Sequence, residues 1–194
     1  MDLYREAINR FKELFDRVQR LGLNEPTAMT LATTDGTGAV SARMVLLKAV
    51  DERGLVFYTN LNSRKGQQLS VNPRAALCFF WDPLMEQVLM EGKADLVSEK
   101  EADAYWASRP RESQLASYAS LQSQPLDSRK SLEQRISQCE LKFSGQQIPR
   151  PAHWSGYRVV PDRIEFWKRG PARLNERLLY QKGSTGWTVH LLYP

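Results

Sequence analysis

The sequence predicts an α+β protein, predominantly antiparallel β, in which a small barrel carries a few peripheral helices. An apolar period of three and four residues at the N terminus gives way to short runs of β-branched and aromatic residues. The first gaps between these runs are too short for crossover helices, and Gly, Pro and Asp mark the turns. Many short antiparallel strands with helices outside them are typical of such a barrel. At 194 residues, we expect one domain over residues 1–194.

The first element is an amphipathic helix, predicted over residues 1–22. Its apolar positions lie three or four residues apart and form one face: Leu3, Ala7, Phe11, Leu14, Val18 and Leu21. Asp2 can cap its start and Gly22 can end it. We therefore expect this helix to pack on the barrel.

Five strand-like runs follow the helix. They are TAMTLATT (27–34), AVSARMVLLKAV (39–50), LVFYTN (55–60), RAALCFFW (74–81) and EQVLMEGKADLV (86–97). The stretches TDGTG, DERG and DPLM supply turns between them. We expect the first three runs to pair as antiparallel neighbours, and NSRKGQQL (62–69) to open a short helix after the third.

The second half of the chain begins with two helices and then returns to strands. Ser98 and Glu101 have the spacing of a capping box at the start of SEKEADAYWASRP (98–110), which Pro110 ends. SRKSLEQRISQCELKF (128–143) is predicted as a polar, amphipathic helix. The remaining predicted strands are YRVV (157–160), RIEFWK (163–168), RLNERLLYQ (173–181) and GWTVHLLYP (186–194).

Composition argues against several classes of function. The only cysteines and histidines are Cys78, Cys139, His153 and His190, and their spacing matches no common metal site. GTG at 36–38 lies in a turn between strands, so it does not indicate a dinucleotide-binding fold. The sequence has no apolar run long enough for a membrane span and no signal-peptide core, which predicts a cytoplasmic protein.

The basic residues point to a small anionic ligand. The formal charge is +5 and the pI about 9.3, but lysines and arginines are spread along the whole chain. Nucleic-acid binders usually concentrate such residues in one stripe, so we expect no nucleic-acid partner. A phosphate ester fits the dispersed pattern better.

The most basic stretch is RIEFWKRGPARLNER, residues 163–177. A Gly-Pro pair within it forbids a continuous helix. Read as a strand after a turn, it places Arg173, Asn175 and Arg177 on one face, where two guanidiniums and an amide would bind an anion. A solvated edge strand protected by arginines would show the same pattern.

Three other clusters shift the balance towards a binding site. Arg43 and Lys48 lie at the two ends of one predicted strand. Ser63, Arg64 and Lys65 open a helix, whose N terminus attracts anions, although a capped surface helix also has this composition. In the third cluster Tyr105, Arg109 and Ser113 recur at four-residue steps around a helix-breaking proline.

Taken in order, these clusters resemble the pyridoxine (pyridoxamine) 5′-phosphate oxidase family, flavin enzymes with an FMN-binding split-barrel fold. The matching pieces run from residue 26 to the C terminus: PTAM, RMVLLK, GLVFYTNLNSRK, NPRAAL, YWASRPRESQ, SLQSQ, HWSGYRV, IEFWKRGPARLNER and GWTVHLLYP. The resemblance implies FMN as cofactor and a homodimer with FMN at the subunit interface.

The resemblance also implies which residues bind each ligand. For FMN they are Arg43, Met44, Val45, Leu46, Leu47, Lys48, Tyr58, Thr59, Arg64, Lys65, Gln87, Gln122, Ser123, Trp167 and Arg177, some of them from the second subunit. For the phosphorylated substrate they are Lys48, Tyr105, Arg109 and Ser113. Arg173 and Asn175 would face the substrate ring as the catalytic pair. No metal is implied.

The implied activity is oxidation of pyridoxine 5′-phosphate and pyridoxamine 5′-phosphate by O2 to pyridoxal 5′-phosphate, with release of H2O2. One departure from the family lies on the substrate side: Asn175 stands where the family usually has histidine, and it cannot titrate near neutral pH. Two alternatives therefore stay open. One is a flavin oxidase with another ring substrate, and the other is a non-catalytic protein that binds FMN or pyridoxal phosphate.

Overall fold

The computed structural model describes residues 2–194, which form nine strands and five α-helices. The helices are α1 (Leu3–Gln19), α2 (Arg64–Val71), α3 (Glu99–Ser108), α4 (Arg111–Ala119) and α5 (Arg129–Lys142). The strands are β1 (Ala28–Thr34), β2 (Val40–Leu46), β3 (Ala49–Asp51), β4 (Gly54–Asn60), β5 (Arg74–Trp81), β6 (Glu86–Leu96), β7 (Trp154–Lys168), β8 (Glu176–Gly183) and β9 (Gly186–Leu191).

All nine strands belong to one antiparallel sheet that curls on itself. The strand order is β2-β1-β5-β6-β7-β4-β3, and β8 pairs with β7 and β9. The chain crosses directly from one edge strand, β2, to the other, β3. At this crossing the Leu47 N–H donates to the Thr27 carbonyl at 2.9 Å and the Lys48 N–H donates to the Val56 carbonyl at 2.8 Å. These two bonds join the sheet edges, and the predicted α+β fold with an antiparallel barrel is confirmed.

The run predicted as one strand over 39–50 is therefore two strands, β2 and β3. The backbone has to change partners at Leu47, from β1 to β4, and a single straight strand could not do so. The expected antiparallel pairing of the first three runs is present, because β2 pairs with β1 and β3 pairs with β4.

Strand β7 is the longest strand and organises the second half of the sheet. The runs predicted separately at 157–160 and 163–168 are continuous in it, because β6 pairs with β7 along nearly its whole length. The register shifts between Glu91 and Gly92. At Gly92 a side chain would meet the Val160 carbonyl oxygen at 2.1 Å, so this close approach requires glycine.

Helix α1 packs on the main core. Asp2 caps it as predicted, by accepting hydrogen bonds from the Tyr4 and Arg5 N–H groups. Its buried face is Ala7, Ile8, Phe11, Leu14, Phe15 and Val18, and these residues share one apolar cluster with the inner faces of the strands. The helix is shorter than the predicted 1–22, since it ends at Gln19.

The helix predicted over 98–110 ends earlier, and a further helix follows it. Ser98 and Glu101 form the predicted capping box at the start of α3. The backbone is extended at Arg109 and Pro110, and α4 then begins at Arg111. Proline disfavours a helical conformation at the residue before it, yet it leads well into a new helix, so the chain forms a corner here. The sequence prediction missed α4.

Two negative findings hold within the described part of the chain. Residues 2–194 contain no helix that is long and apolar enough to cross a membrane. They also contain no cluster of three or more His, Cys, Asp or Glu side chains arranged to hold a metal ion.

Candidate functional site

Two separate cavities hold most of the predicted site residues. The first, of about 420 Å³, is lined by β2, β4 and helices α2 to α4. The predicted residues that line it are Met44, Val45, Leu46, Lys48, Tyr58, Thr59, Lys65, Tyr105, Arg109 and Gln122. The second, of about 790 Å³, lies between α1 and strands β6 to β8. The predicted residues that line it are Gln87, Trp167, Asn175 and Arg177.

Lys65 is the buried cation of the first cavity. It lies in the first turn of α2, whose start Ser63 caps. Its ammonium donates to Ser63 Oγ at 3.2 Å and to Gln122 Oε1 at 3.1 Å, both neutral acceptors. Burial, together with the nearby charge of Arg43, lowers the pKa of Lys65 to about 8. An anionic ligand in this cavity would therefore stabilise the charged form of Lys65.

The Arg43 side chain lies outside the cavity near Lys65, where it hydrogen-bonds to β1 and α2. Its guanidinium donates to the Leu31 carbonyl at 3.2 Å, to Thr33 Oγ1 at 2.6 Å and to Gln68 Oε1 at 3.3 Å. Burial and the charge of Arg64 lower the pKa of Arg43. Neither Arg43 nor Arg64 lines the first cavity, although both were predicted to contact the cofactor.

Arg109 is the second cation of the first cavity and is partly buried. Its guanidinium lies between two indole rings, 5.2 Å from the centre of Trp106 and 4.8 Å from that of Trp154. Nη2 donates to Ser117 Oγ at 2.9 Å, whereas Nη1 is buried without a partner among residues 2–194. A buried donor without a partner is costly, so the geometry favours an acceptor supplied by a ligand.

Helix α3, which carries Tyr105, is held to the sheet by two largely buried arginines. Arg158 on β7 donates to Glu101 at 2.8 Å, and Arg150 donates to Asp103 at 2.6 Å. Both arginine side chains are only 11% exposed. These anchors fix the N-terminal half of the helix, whose C-terminal half carries Tyr105 and ends at Arg109.

An aromatic stack forms one wall of the first cavity. The Tyr58 ring stacks on Tyr105 with 3.9 Å between centroids and lies nearly parallel to Trp154 at 5.3 Å, while Tyr105 and Trp154 are 6.1 Å apart. Tyr58 was predicted to contact the cofactor and Tyr105 the substrate phosphate. The stack therefore joins the two predicted parts of the site physically.

In the second cavity, three residues that are distant in sequence form one row across the sheet. Gln87 on β6 lies opposite Trp167 on β7, and Trp167 lies opposite Arg177 on β8. The Arg177 Nε donates to Glu165 Oε1 at 2.7 Å. This row places three predicted cofactor contacts side by side.

The strand face predicted for Arg173, Asn175 and Arg177 is wrong. Strand β8 begins only at Glu176, and Pro171–Arg173 form a short 3₁₀ turn in which Ala172 and Arg173 have positive φ angles. The proline starts this turn, and Asn175 closes it because its Oδ1 accepts the Gly170 N–H at 3.2 Å. Asn175 lines the second cavity, whereas Arg173 lines neither cavity.

Three more predicted contacts lie outside both cavities. They are Leu47, Ser113 and Ser123. Leu47 is 3% exposed and belongs to the main core. Ser113 lies on α4 one turn before Ser117, and it is Ser117 that contacts Arg109.

Sequence reasoning missed several residues of the first cavity, namely Asn60, Ala116, Ser117, Ser120 and Trp154. Trp154 lies within HWSGYRV, one of the pieces that resemble the family, but its position there predicts no contact. Ser117 could not be assigned without α4, because only that helix brings it one turn beyond Ser113. Asn60 ends the predicted strand LVFYTN, where a polar residue also suits a turn.

The donor set of the first cavity fits phosphorylated ligands. Among residues 2–194, no carboxylate forms an ion pair with Arg43, Lys48, Arg64, Lys65 or Arg109, although carboxylates pair with many other basic residues of the chain. Cations left without counter-charges in a cleft attract anions, and the free Arg109 Nη1 supplies a directed donor.

Comparison with protein families gives two successive matches. Residues 15–143 match the family described as pyridoxamine 5′-phosphate oxidase. Residues 154–194 match the pyridoxine 5′-phosphate oxidase C-terminal dimerisation region.

Curated relatives are similar over nearly the whole chain. A pyridoxine/pyridoxamine 5′-phosphate oxidase of Myxococcus xanthus is 52% identical over 189 residues, covering 97% of this chain and 92% of the relative. One of Alkalilimnicola ehrlichii is 52% identical over 196 residues, covering 100% of both chains.

Solved structures share the fold. PhzG from Burkholderia lata, in complex with tetrahydrophenazine-1-carboxylic acid, superposes with a TM-score of 0.91 at 31% identity, covering 96% of this chain and 92% of PhzG. A pyridoxamine 5′-phosphate oxidase-related, FMN-binding protein of Nostoc punctiforme superposes with a TM-score of 0.76 at 17% identity, covering 96% of both chains. These matches identify the curled sheet as a split barrel.

Proposed function

The chain belongs to the pyridoxamine 5′-phosphate oxidase family, and from this premise we propose that it oxidises pyridoxine 5′-phosphate and pyridoxamine 5′-phosphate to pyridoxal 5′-phosphate. The electron acceptor is O2 and the second product is H2O2. The enzyme is an oxidoreductase acting on CH–NH2 donors, and it serves the synthesis or salvage of vitamin B6.

One observation carries this proposal. A single cavity contains two cationic groups, the buried Lys65 and the partly buried Arg109, that lack carboxylate partners within residues 2–194. The reaction brings together a cofactor and a substrate that each carry a phosphate. Two cationic groups in one cavity can bind these two phosphates, one each. The predicted cofactor, FMN, is supported by the family match and by the FMN-binding protein of the same fold.

FMN would be held mainly from the first cavity. Lys65 would bind its phosphate, with Arg64 adding charge at the α2 N terminus and Arg43 fixing the strand behind. Tyr58, Thr59 and Gln122 would line its flavin end. When bound, FMN supplies the redox chemistry, because it accepts two electrons from the substrate and returns them to O2.

The substrate would be held from the α3–α4 corner. Lys48, Tyr105 and Arg109 would bind its phosphate, and the two indoles would keep Arg109 fixed in direction. The protein's contribution is to hold two flat rings against each other in one orientation, since FMN supplies the reactive group.

The second cavity would complete the site of another subunit. Trp167 and Arg177 line a different cavity from Lys65 within one chain, and residues 154–194 match a dimerisation region. We therefore propose a homodimer with FMN at the interface, in which Gln87, Trp167, Asn175 and Arg177 of one subunit face the first cavity of its partner.

Two further predictions stand on the sequence alone. They are a single domain over residues 1–194 and a cytoplasmic location, which suits the metabolic role proposed above.

A direct assay tests the function. The purified protein should carry flavin absorbance and should release H2O2 when pyridoxine 5′-phosphate or pyridoxamine 5′-phosphate is added in air. Pyridoxine without its phosphate is the matched control and should react far more slowly. A flavin-loaded protein that releases no H2O2 with either phosphate would contradict the proposed reaction.

A flavin oxidase with another ring substrate is the second candidate. The specific support is PhzG, whose structure contains tetrahydrophenazine-1-carboxylic acid and superposes at a TM-score of 0.91. Asn175 adds to it, because the family usually has histidine there. H2O2 release with tricyclic carboxylic acids, and none with B6 phosphates, would favour this candidate.

The third candidate is a non-catalytic protein that binds FMN or pyridoxal phosphate. The same cavity would serve such a role, since its cations bind phosphate whether or not a reaction follows. Tight binding of both compounds without H2O2 release would distinguish it from the two oxidases.

A further inference from the structure

Glu165 is a buried carboxylate on the outer face of the sheet. It lies on β7 between Leu89 of β6 and Leu179 of β8, in the row next to Gln87, Trp167 and Arg177. Its side chain is only 6% exposed. A carboxylate is costly to bury, and apolar neighbours on both sides do not offset that cost. Its charge therefore needs another explanation.

The contacts of Glu165 supply one. Oε1 accepts from the Arg177 Nε at 2.7 Å, and Oε2 accepts from an Arg163 Nη2 at 3.5 Å. The short contact with Arg177 is charge-assisted, and it raises the pKa of Arg177.

The Arg177 guanidinium is held at a second point as well. Its Nη1 donates to the Tyr193 carbonyl at 3.1 Å, and the Arg177 carbonyl accepts the Leu192 N–H at 2.9 Å. A guanidinium is planar, so fixing Nε and Nη1 fixes the direction of Nη2. Nη2 has no hydrogen-bond partner among residues 2–194, and Arg177 lines the second cavity.

We propose that Glu165 is a positioning residue, which holds Arg177 in the one orientation that directs its free N–H groups towards the cofactor. This inference rests on the proposed function, in which Arg177 contacts FMN across the subunit interface. Without Glu165, the arginine would keep its charge but would have to be ordered each time FMN binds.

The first test is the FMN dissociation constant of the flavin-free full chain, measured by flavin fluorescence. Glu165→Gln keeps the size of the side chain and removes its charge. It should weaken FMN binding about three- to tenfold, the cost of ordering one flexible side chain on binding. Glu91→Gln is the matched control, because Glu91 lies on the same sheet face and pairs with Arg163 but not with Arg177. It should leave the dissociation constant unchanged.

A double-mutant cycle shows whether Glu165 acts through Arg177. In an Arg177→Met background, Glu165→Gln should cause no further loss of FMN affinity. Glu165→Gln should lower the free energy of unfolding in the wild type but raise it in the Arg177→Met background. The reason is that the methionine variant leaves the buried carboxylate with only the weaker Arg163 contact. An equal loss of FMN affinity in both backgrounds would overturn the inference.

Glu165→Asp separates position from charge, and it serves if the glutamine variant fails to fold. Aspartate keeps the charge but withdraws the oxygens by one methylene, so it should weaken FMN binding as glutamine does. Full FMN affinity in this variant would overturn the inference, because charge alone would then suffice.

The outcomes also separate this inference from the proposed function. Wild-type protein that binds FMN, together with a Glu165→Gln variant of equal affinity, overturns the inference alone. Wild-type protein that binds no FMN overturns the proposed function and the inference with it.

Discussion

Lys65 is the residue whose chemistry the fold changes most, since burial lowers its pKa from 10.5 to about 8. In the flavin-free protein Lys65 therefore loses its charge at a lower pH than an exposed lysine does. A bound phosphate would favour the charged form again, so FMN binding above pH 8 should take up a proton.

We predict that FMN affinity is nearly constant below pH 8 and falls as the pH rises above it. The limit is about tenfold per pH unit, the slope for uptake of one proton. Lys65→Arg, which stays charged throughout, should remove this dependence, and fluorescence titrations between pH 7 and 9.5 would check it. A matching pH slope in both proteins would assign the effect to another group.

The same pKa shift should make the flavin-free wild type more stable as the pH rises from 8 towards 10.5, where the folded form no longer carries a buried charge.

Arg109 supports a prediction on substrate binding. Arg109→Ala removes the guanidinium held between Trp106 and Trp154, and should cost roughly 1.5–3 kcal/mol of substrate binding, about ten- to a hundredfold in affinity. Calorimetric titration with pyridoxal 5′-phosphate would measure it. Arg129→Ala, at a side chain that is 92% exposed, is the control. An unchanged affinity for the phosphate would remove Arg109 from the site.

Asn175 supports a prediction with the opposite sign. Asn175→His restores the residue usual in the family, and a neutral histidine can still accept the Gly170 N–H that closes the turn. We expect kcat/KM for pyridoxine 5′-phosphate to rise about fivefold, the worth of one added hydrogen bond of about 1 kcal/mol. A slower variant would mean that Asn175 is adapted to another substrate, and would favour the alternative ring oxidase.

At the scale of elements, α2 places Lys65 only because residue 66 is glycine. A Cβ at Gly66 would lie 2.2 Å from the Leu61 carbonyl oxygen, which is backbone and cannot move alone. The first turn of α2 therefore sits closer to the preceding loop than any other residue would allow.

Gly66→Ala should push this turn away from Leu61. We expect a loss of about 1–3 kcal/mol in the free energy of unfolding, as for other overpacked sites, and weaker FMN binding because Lys65 moves with the turn. Ser70→Ala, an exposed position on the same helix, is the control for both measurements. Unchanged unfolding and FMN affinity in Gly66→Ala would show that the loop adapts freely.

Strands and capped helices could be predicted from the sequence where local chemistry decides them. Asp2 and the Ser98–Glu101 capping box are examples, because each acts within one turn of backbone. The division of residues 39–50 could not be predicted, since the change of partner at Leu47, from β1 to β4, is set by closure of the whole sheet and not by the local sequence. The turn at 171–173 was missed because alternation in RLNER imitates a strand, whereas Pro171 and the Asn175 side chain decide the local conformation.

The same distinction applies to the site. Residues on regular elements, such as Tyr58 and Lys65, could be placed from their motifs. Trp154 and Ser117 contact Arg109 through tertiary packing, so their spacing in the sequence does not predict these contacts.

At the scale of the whole molecule, the two cavities should function only when two chains meet. We predict complementation between Arg109→Ala and Arg177→Met, each of which should be nearly inactive alone. In a mixed dimer one site would carry both substitutions and the other neither, because Arg109 and Arg177 of one site come from different chains.

Random reassortment of the two variants should therefore restore roughly a quarter of wild-type activity, since half of the twofold-symmetric dimers are mixed and each has one intact site. Co-expression followed by an H2O2 release assay would measure it. Mixing either variant with itself is the control. No recovery in a verified mixed dimer would place both residues in a site within one chain.

The crossing at Leu47 and Lys48 has a consequence for local motion. The two amide hydrogen bonds that join the sheet edges belong to the same backbone that carries the Lys48 ammonium. Any transient separation of these edges would displace that side chain, and a bound phosphate would oppose the separation. Deuterium uptake at these two adjacent amides would thus measure how often the sheet edges separate. A bound phosphate ligand should slow this uptake.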